Sequence, residues 1–191
     1  MPRPKDPSKL IAIHQAATRL LVKVGFTGLK MAQVAAEAGL ATGTLYIYYK
    51  NKEALINGVF VATQIEIRDC LEAPELEKET FYETFEARWK AYFLFCFQQS
   101  DKMLFVEQFQ YSGLLWEKSI QQADALFETY DLFLKKGQKQ GFLRRMDLGI
   151  LKAHLRGATH EIIKKMQQTD QECHEDAVDL YFDLAWNSVR K

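Results

Sequence analysis

Residues 31–52, MAQVAAEAGLATGTLYIYYKNK, constrain this chain more than any other stretch. A short helical pattern from Met31 to Ala38 stops at Gly39-Leu40. A second runs from Thr42 to Tyr48, and a third opens at Asn51-Lys52-Glu53. Two short helices joined by a three-to-four-residue turn containing glycine have the layout of a DNA-reading helix-turn-helix. The positions of Ala35, Gly39 and Leu45 have a physical reason. A small residue lets the helices cross closely, glycine accepts a positive φ in the turn, and a leucine plugs the space between them. Thr42, Thr44, Tyr46, Ile47 and Tyr48 are left facing outward. That polar and aromatic face is odd for a solubilising helix and sensible for a DNA groove.

Charge points to the same end of the chain. The formal net charge is zero, yet residues 1–55 hold eight Lys/Arg against three Asp/Glu, and the remainder carries the opposite excess. A positive potential on the helix-turn-helix is what a polyanion would meet there. Pro2, Pro4 and Pro7, interleaved with Arg3 and Lys5, read as an extended arm (residues 1–7). An ordinary disordered tail competes with contact to an adjacent minor groove. Asp6 as N-cap and Pro7 as the first helical residue open a helix that Gly25 should close.

Beyond residue 55 the pattern stays helical, with no strand alternation or low-complexity tract. Asn51 starts a long helix to about Leu71, broken by the Pro74 segment. Further helices are expected over 77–99, 101–112, 116–140, from Asp147 to about Gln168, and from about Gln171 onward. The fold class is therefore all-α: an N-terminal three-helix DNA-binding domain (1–55) and a C-terminal helical bundle (56–191), about nine helices in all. No apolar run approaches the ~20 residues that span a bilayer, and no signal-peptide pattern opens the chain. Cys70, Cys96 and Cys173, odd in number and without CxxC spacing, read as reduced thiols in a cytoplasmic protein.

Residues 8–55 resemble the N-terminal domain of the TetR/AcrR family of bacterial transcriptional regulators. The resemblance lies in Gly25-Phe26, Val34-Ala35, Ala38-Gly39-Leu40, Gly43-Thr44-Leu45-Tyr46, Tyr48-Tyr49 and Lys52-Glu53-Ala54-Leu55, all in one register. It covers about a quarter of the chain. It implies a DNA-binding repressor in which Gly43 lets the backbone approach the duplex while Thr42, Thr44 and Ile47 reach base edges. Lys30, Tyr46, Tyr48 and Lys52 would hold phosphates, and Gln33 a base or a phosphate. Two departures stand out. Leu29-Lys30 and Ala41 occupy positions where the family usually places a Ser or Thr cap, and Tyr48-Tyr49 replaces a common His-Phe pair.

The body is rich in rings. Phe81, Phe85, Trp89, Tyr92, Phe93 and Cys96 form one stripe, and Phe105, Phe109, Trp116, Phe127, Tyr130 and Phe133 follow. Such stripes are usually core. Their density also fits a pocket for a small apolar or aromatic effector, which the resemblance implies too. The candidate lining is Phe85, Trp89, Tyr92, Phe93, Phe105, Gln108, Phe109, Trp116, Phe127, Tyr130 and His154, with Tyr92, Gln108, Tyr130 and His154 as polar anchors. Apolar residues on two faces of the last helices predict a homodimer through a four-helix interface at Leu151, Leu155, Ala158, Ile162, Leu180, Tyr181 and Leu184. His160-Glu161 and His174-Glu175 read as surface residues. No catalytic or metal-ligand spacing and no cofactor fingerprint appears, so no enzyme is expected. A DNA-binding module without an effector remains open, as does, more remotely, an all-helical enzyme or carrier.

Overall fold

The computed structural model describes residues 6–191; the arm residues Arg3 and Lys5 lie outside them. Ten α-helices are described: α1 (Pro7–Gly28), α2 (Met31–Glu37), α3 (Thr42–Tyr48), α4 (Lys52–Leu71), α5 (Phe81–Gln98), α6 (Ser100–Phe109), α7 (Glu117–Ala125), α8 (Glu128–Gln140), α9 (Leu148–Gln168) and α10 (Glu175–Val189). A single 3-10 turn covers Pro74–Leu76. An isolated antiparallel bridge pairs Leu143 with Arg190, and no strand forms among the described residues. The fold is all-α, as the sequence predicts.

Local chemistry sets the helix ends. The Asp6 side chain accepts the Ser8 amide at 2.9 Å, with Pro7 in the first turn. Gly25 leaves helical geometry (φ 68°), and one further turn resumes through Gly28. At α5 the helix starts at Phe81 rather than 77, because Thr80 and Glu83 form a reciprocal capping box. Asp147 caps α9 by accepting from the Ile150 amide at 3.0 Å. The expected helix over 116–140 is two helices. A tight turn, with the Phe127 amide donating to Asp124 O at 3.2 Å, separates α7 from α8 without any Gly or Pro to announce it.

The described chain forms two compact units. The first ends at Gln64 and also takes in Asp101–Ala123; the second comprises Ile65–Ser100 and Asp124–Lys191. In the first, α2 packs on α1 and on α3, and Ile13, Ala17, Leu21, Val34, Ala35, Leu45 and Leu55 are wholly buried. Burying a leucine this fully contributes roughly 1.5–3 kcal/mol, so Leu45 alone anchors much of the seven-residue α3. In the second, α5 packs against α9 and α10 around buried Phe85, Phe93, Leu134, Leu151, Ile163 and Phe182.

Candidate nucleic-acid interface and effector site

The turn between α2 and α3 closes as a Schellman motif. The Leu40 amide donates to Ala35 O at 2.8 Å, and the Gly39 amide to Ala36 O at 3.1 Å. Gly39 supplies the positive φ, 68°, that this geometry needs. Helix α3 then turns only Leu45 into the core. Thr42 and Gly43 are exposed, Thr44 is half-buried, and Tyr46 and Ile47 expose 49% and 69% of their surface. A Cβ added at Gly43 would meet nothing within 4 Å, and its φ is not positive. Folding therefore does not require a glycine there, whereas close approach of another molecule would.

Lys30 and Gln33 are exposed at the start of α2. Tyr48 is half-buried, and its hydroxyl accepts the Asp6 amide at 2.9 Å, tying the end of α3 to the start of α1. Lys52 is committed in part as well: Nζ donates to Phe26 O at 3.2 Å and lies 5.0 Å from the Phe26 ring centroid. An ammonium has three donors, so that bond leaves capacity for a phosphate. Tyr49 packs inward, its hydroxyl 2.5 Å from His14 Nε2. Burial pushes that hydroxyl up to about 12. Gly58 makes room for it, since a Cβ there would fall 2.6 Å from the Tyr49 oxygen. Arg19 pairs with Glu37 at 2.8 Å, joining α1 to α2.

Neither α2 nor α3 has a side-chain cap: Lys30 and Ala41 stand at the N-cap positions in extended geometry with no side-chain bond. The Ser or Thr that the sequence lacks at these positions is not replaced by another side-chain cap. Ala41→Ser should therefore stabilise the protein by about 1 kcal/mol, read as a raised midpoint in urea unfolding with an unchanged slope.

The candidate effector residues divide between the units. Phe105 and Phe109 are buried in the first, with ring centroids 5.2 Å apart. Gln108 is exposed and the Trp116 side chain half-exposed; neither points into a core as an anchor would. The Trp116 amide instead donates to Asn57 Oδ1 at 2.7 Å. In the second unit Phe85, Trp89 and Phe93 are buried, and Phe85 and Trp89 pack against Phe182. Phe127 is half-buried. His154 lies exposed, bonded to Ser188 Oγ at 2.9 Å, so it is not an inward anchor either.

Two polar residues missed in the sequence lie inside the second unit. His160, expected at the surface, is 4% exposed, and its Nε2 lies 2.8 Å from the Tyr92 hydroxyl. Arg88 is also 4% exposed. Its Nη2 pairs with Glu77, and its guanidinium carbon sits 4.4 Å over the Phe133 ring. Nε and Nη1 are buried without any hydrogen-bond partner. Burial raises the Tyr92 hydroxyl well above its usual value and pushes that of Tyr130 up to about 12, with Arg88 pulling the latter back down. The available signal was a lone arginine four residues before Tyr92 on an aromatic helix. The three cysteines form no disulfide, and burial lifts the Cys70 thiol to about 11 and that of Cys96 to about 12.

Two of the expected dimer residues lie inside their own unit. Leu151 and Leu155 are 0% and 7% exposed, in the core of their own unit. The inward stripe of α9 runs Leu151, Leu155, Thr159, Ile163 and Met166. Tyr181 is half-buried with its ring 5.8 Å from Phe93, and Ile162 is half-buried. Ala158 is exposed, and Leu180 and Leu184 expose 58% and 59%. Ile150, on the same helix as Ala158, is 63% exposed.

Comparison with known proteins covers nearly the whole chain. A family model described as bacterial regulatory proteins, tetR family, matches residues 13–59. A tetracyclin repressor-like C-terminal domain model matches residues 60–191. An HTH-type transcriptional regulator of Haemophilus influenzae is 26% identical over 186 residues, 94% of each chain. A TetR family transcription regulator from Marinobacter aquaeolei VT8 superposes with a TM-score of 0.88 at 22% identity, covering 97% of each chain. The transcriptional regulator FadR from Bacillus subtilis, solved in complex with stearoyl-CoA, gives a TM-score of 0.68 at 22% identity, over 92% of this chain and 95% of its own. No described helix is long and apolar enough to cross a membrane. The chain belongs to the TetR family of bacterial regulatory proteins and is a DNA-binding transcriptional regulator.

Proposed function

We propose that the protein is a cytoplasmic homodimeric repressor, not an enzyme, that binds a palindromic operator and is released by a small, largely apolar or aromatic effector. The observation that carries the DNA-binding half is the outward face of α3, where only Leu45 is buried and Gly43 is open to close approach. Thr42, Thr44 and Ile47 read bases in the major groove. Lys30, Gln33, Tyr46, Tyr48 and Lys52 fix the register on the phosphates, Tyr48 and Lys52 with orientations already set by Asp6 and Phe26. Two such heads in a dimer would meet half-sites about one helical turn apart, or a multiple.

The dimer face is redrawn from the exposed apolar residues of the last two helices: Ile150, Ala158, Leu180 and Leu184. Gly157, beside which a Cβ would meet nothing within 4 Å, allows a partner helix to come close. The buried rings of the body and the stearoyl-CoA complex of the Bacillus subtilis relative support an apolar effector. Such a ligand shifts the protein off DNA only if it binds the released state more tightly.

The test of the reading face starts from an operator selected out of random DNA. Tyr48→Ala and Lys52→Ala should each lower affinity about tenfold for all sequences, as the loss of one phosphate contact would. Thr44→Ala should change preference at particular base pairs. Unchanged gel-shift affinity and specificity in all three variants would rule this face out.

A further inference from the structure

Arg88 is an anomaly of the second unit. A buried guanidinium costs free energy unless its donors are met, and three of its five N–H bonds, those on Nε and Nη1, find no acceptor. Glu77 meets only Nη2, and its own side chain is 62% exposed, so water screens its charge. The carboxylates beside Tyr130 are both occupied: Asp131 accepts from Lys152 Nζ at 2.7 Å. Glu72 takes the Tyr130 amide at 3.0 Å.

The surroundings are apolar on one side and hydroxylic on the other. Phe133 lies under the guanidinium, and Phe81 stacks on Phe133 at 4.6 Å. Tyr130 stacks on the same Phe133, ring centroids 6.3 Å apart, and the Arg88 charge opposes the burial that pushes its hydroxyl up to about 12. A flat cation with spare donors, a phenyl shelf and a neighbouring phenol together make a receptor for a carboxylate attached to an apolar body.

We propose that Arg88, assisted by the Tyr130 hydroxyl, binds the carboxylate of the effector, which is therefore an apolar monocarboxylic acid. A carboxylate fits better than a phosphate, since one guanidinium already shared with Glu77 is poorly matched to a dianion. This proposal rests on the effector reading above and narrows its chemistry. It also separates a free acid from its thioester, which has no carboxylate to offer.

Calorimetric titration of the full-length protein tests it with octanoate, dodecanoate and 4-phenylbutanoate, each beside its methyl ester, and with dodecanoyl-CoA. At least one acid should bind ten times or more tightly than its ester. Arg88→Met should cost that acid tenfold or more and leave the ester within twofold, while Arg88→Lys, which keeps the charge but not the fork, should fall between. Circular dichroism checks that each variant folds; if Arg88→Met does not, Arg88→Lys and the acid-to-ester ratio of the unaltered protein decide. Esters bound as tightly as acids, or dodecanoyl-CoA bound alone and unaffected by Arg88→Met, would overturn the carboxylate assignment while leaving the effector reading intact. If no compound binds and none releases operator DNA, the effector reading itself falls.

Discussion

Replacing Leu180 and Leu184 together by glutamate should lower operator affinity by about 10²–10⁴-fold. Both side chains are more than half exposed on α10, so a monomer loses no core packing and should stay folded. In the proposed dimer the same leucines would be covered, and four buried carboxylates per pair of subunits would repel and remain unsolvated. Separating the heads removes the gain from binding two half-sites in one event, which is worth that range in linked modules. Analytical ultracentrifugation should give a monomer, and gel shifts should show only weak binding. A dimer that persists with full affinity would mean the two subunits meet through another face.

The second large effect is expected at Asn57, which is 2% exposed on α4. Its Oδ1 accepts the Trp116 amide at 2.7 Å, and its Nδ2 donates to Glu53 O at 2.8 Å and Leu114 O at 3.4 Å. The side chain thus fastens the loop between α6 and α7 to the helix that follows the reading head, all within one compact unit. Asn57→Ala removes these bonds and leaves backbone groups of the loop unmet, at about 1–3 kcal/mol for each buried group. A total near 2–4 kcal/mol should lower the melting temperature by roughly 5–15 °C. Asn57→Asp keeps the acceptor for Trp116 but buries a carboxylate against the Glu53 and Leu114 carbonyls, so it should destabilise at least as much. If both variants melt like the parent, water replaces the asparagine and the fastening is incidental.

The reading head was legible because its constraints are local. Gly39 and Leu45 can hardly serve any other turn, and the empty caps at Lys30 and Ala41 show as missing hydroxyls in the sequence itself. The α7–α8 break was not legible, since it rests on one backbone turn at Leu126-Phe127 and on no residue that forbids a helix. Phase was the other limit. On α9, Leu151 and Ile150 are neighbours in sequence yet 0% and 63% exposed, and a rotation of about 100° decides which enters the core. Anchors failed for a similar reason. His154 and His160 have the same chemistry, and only packing on Tyr92 tells the buried one from the exposed one.

Gly137 closes the account of the aromatic shelf. A Cβ at this position of α8 would come within 2.6 Å of the Phe81 Cε2 atom, so the ring rests where a side chain would otherwise be. Phe81 in turn stacks on Phe133 and, at 5.0 Å, on Phe142. One mutational step from glycine to alanine would move that ring, and through Phe133 the floor beneath Arg88, with the DNA-reading residues untouched. In the effector reading proposed above, that position is a route to change the signal answered while the DNA-reading face stays as it is.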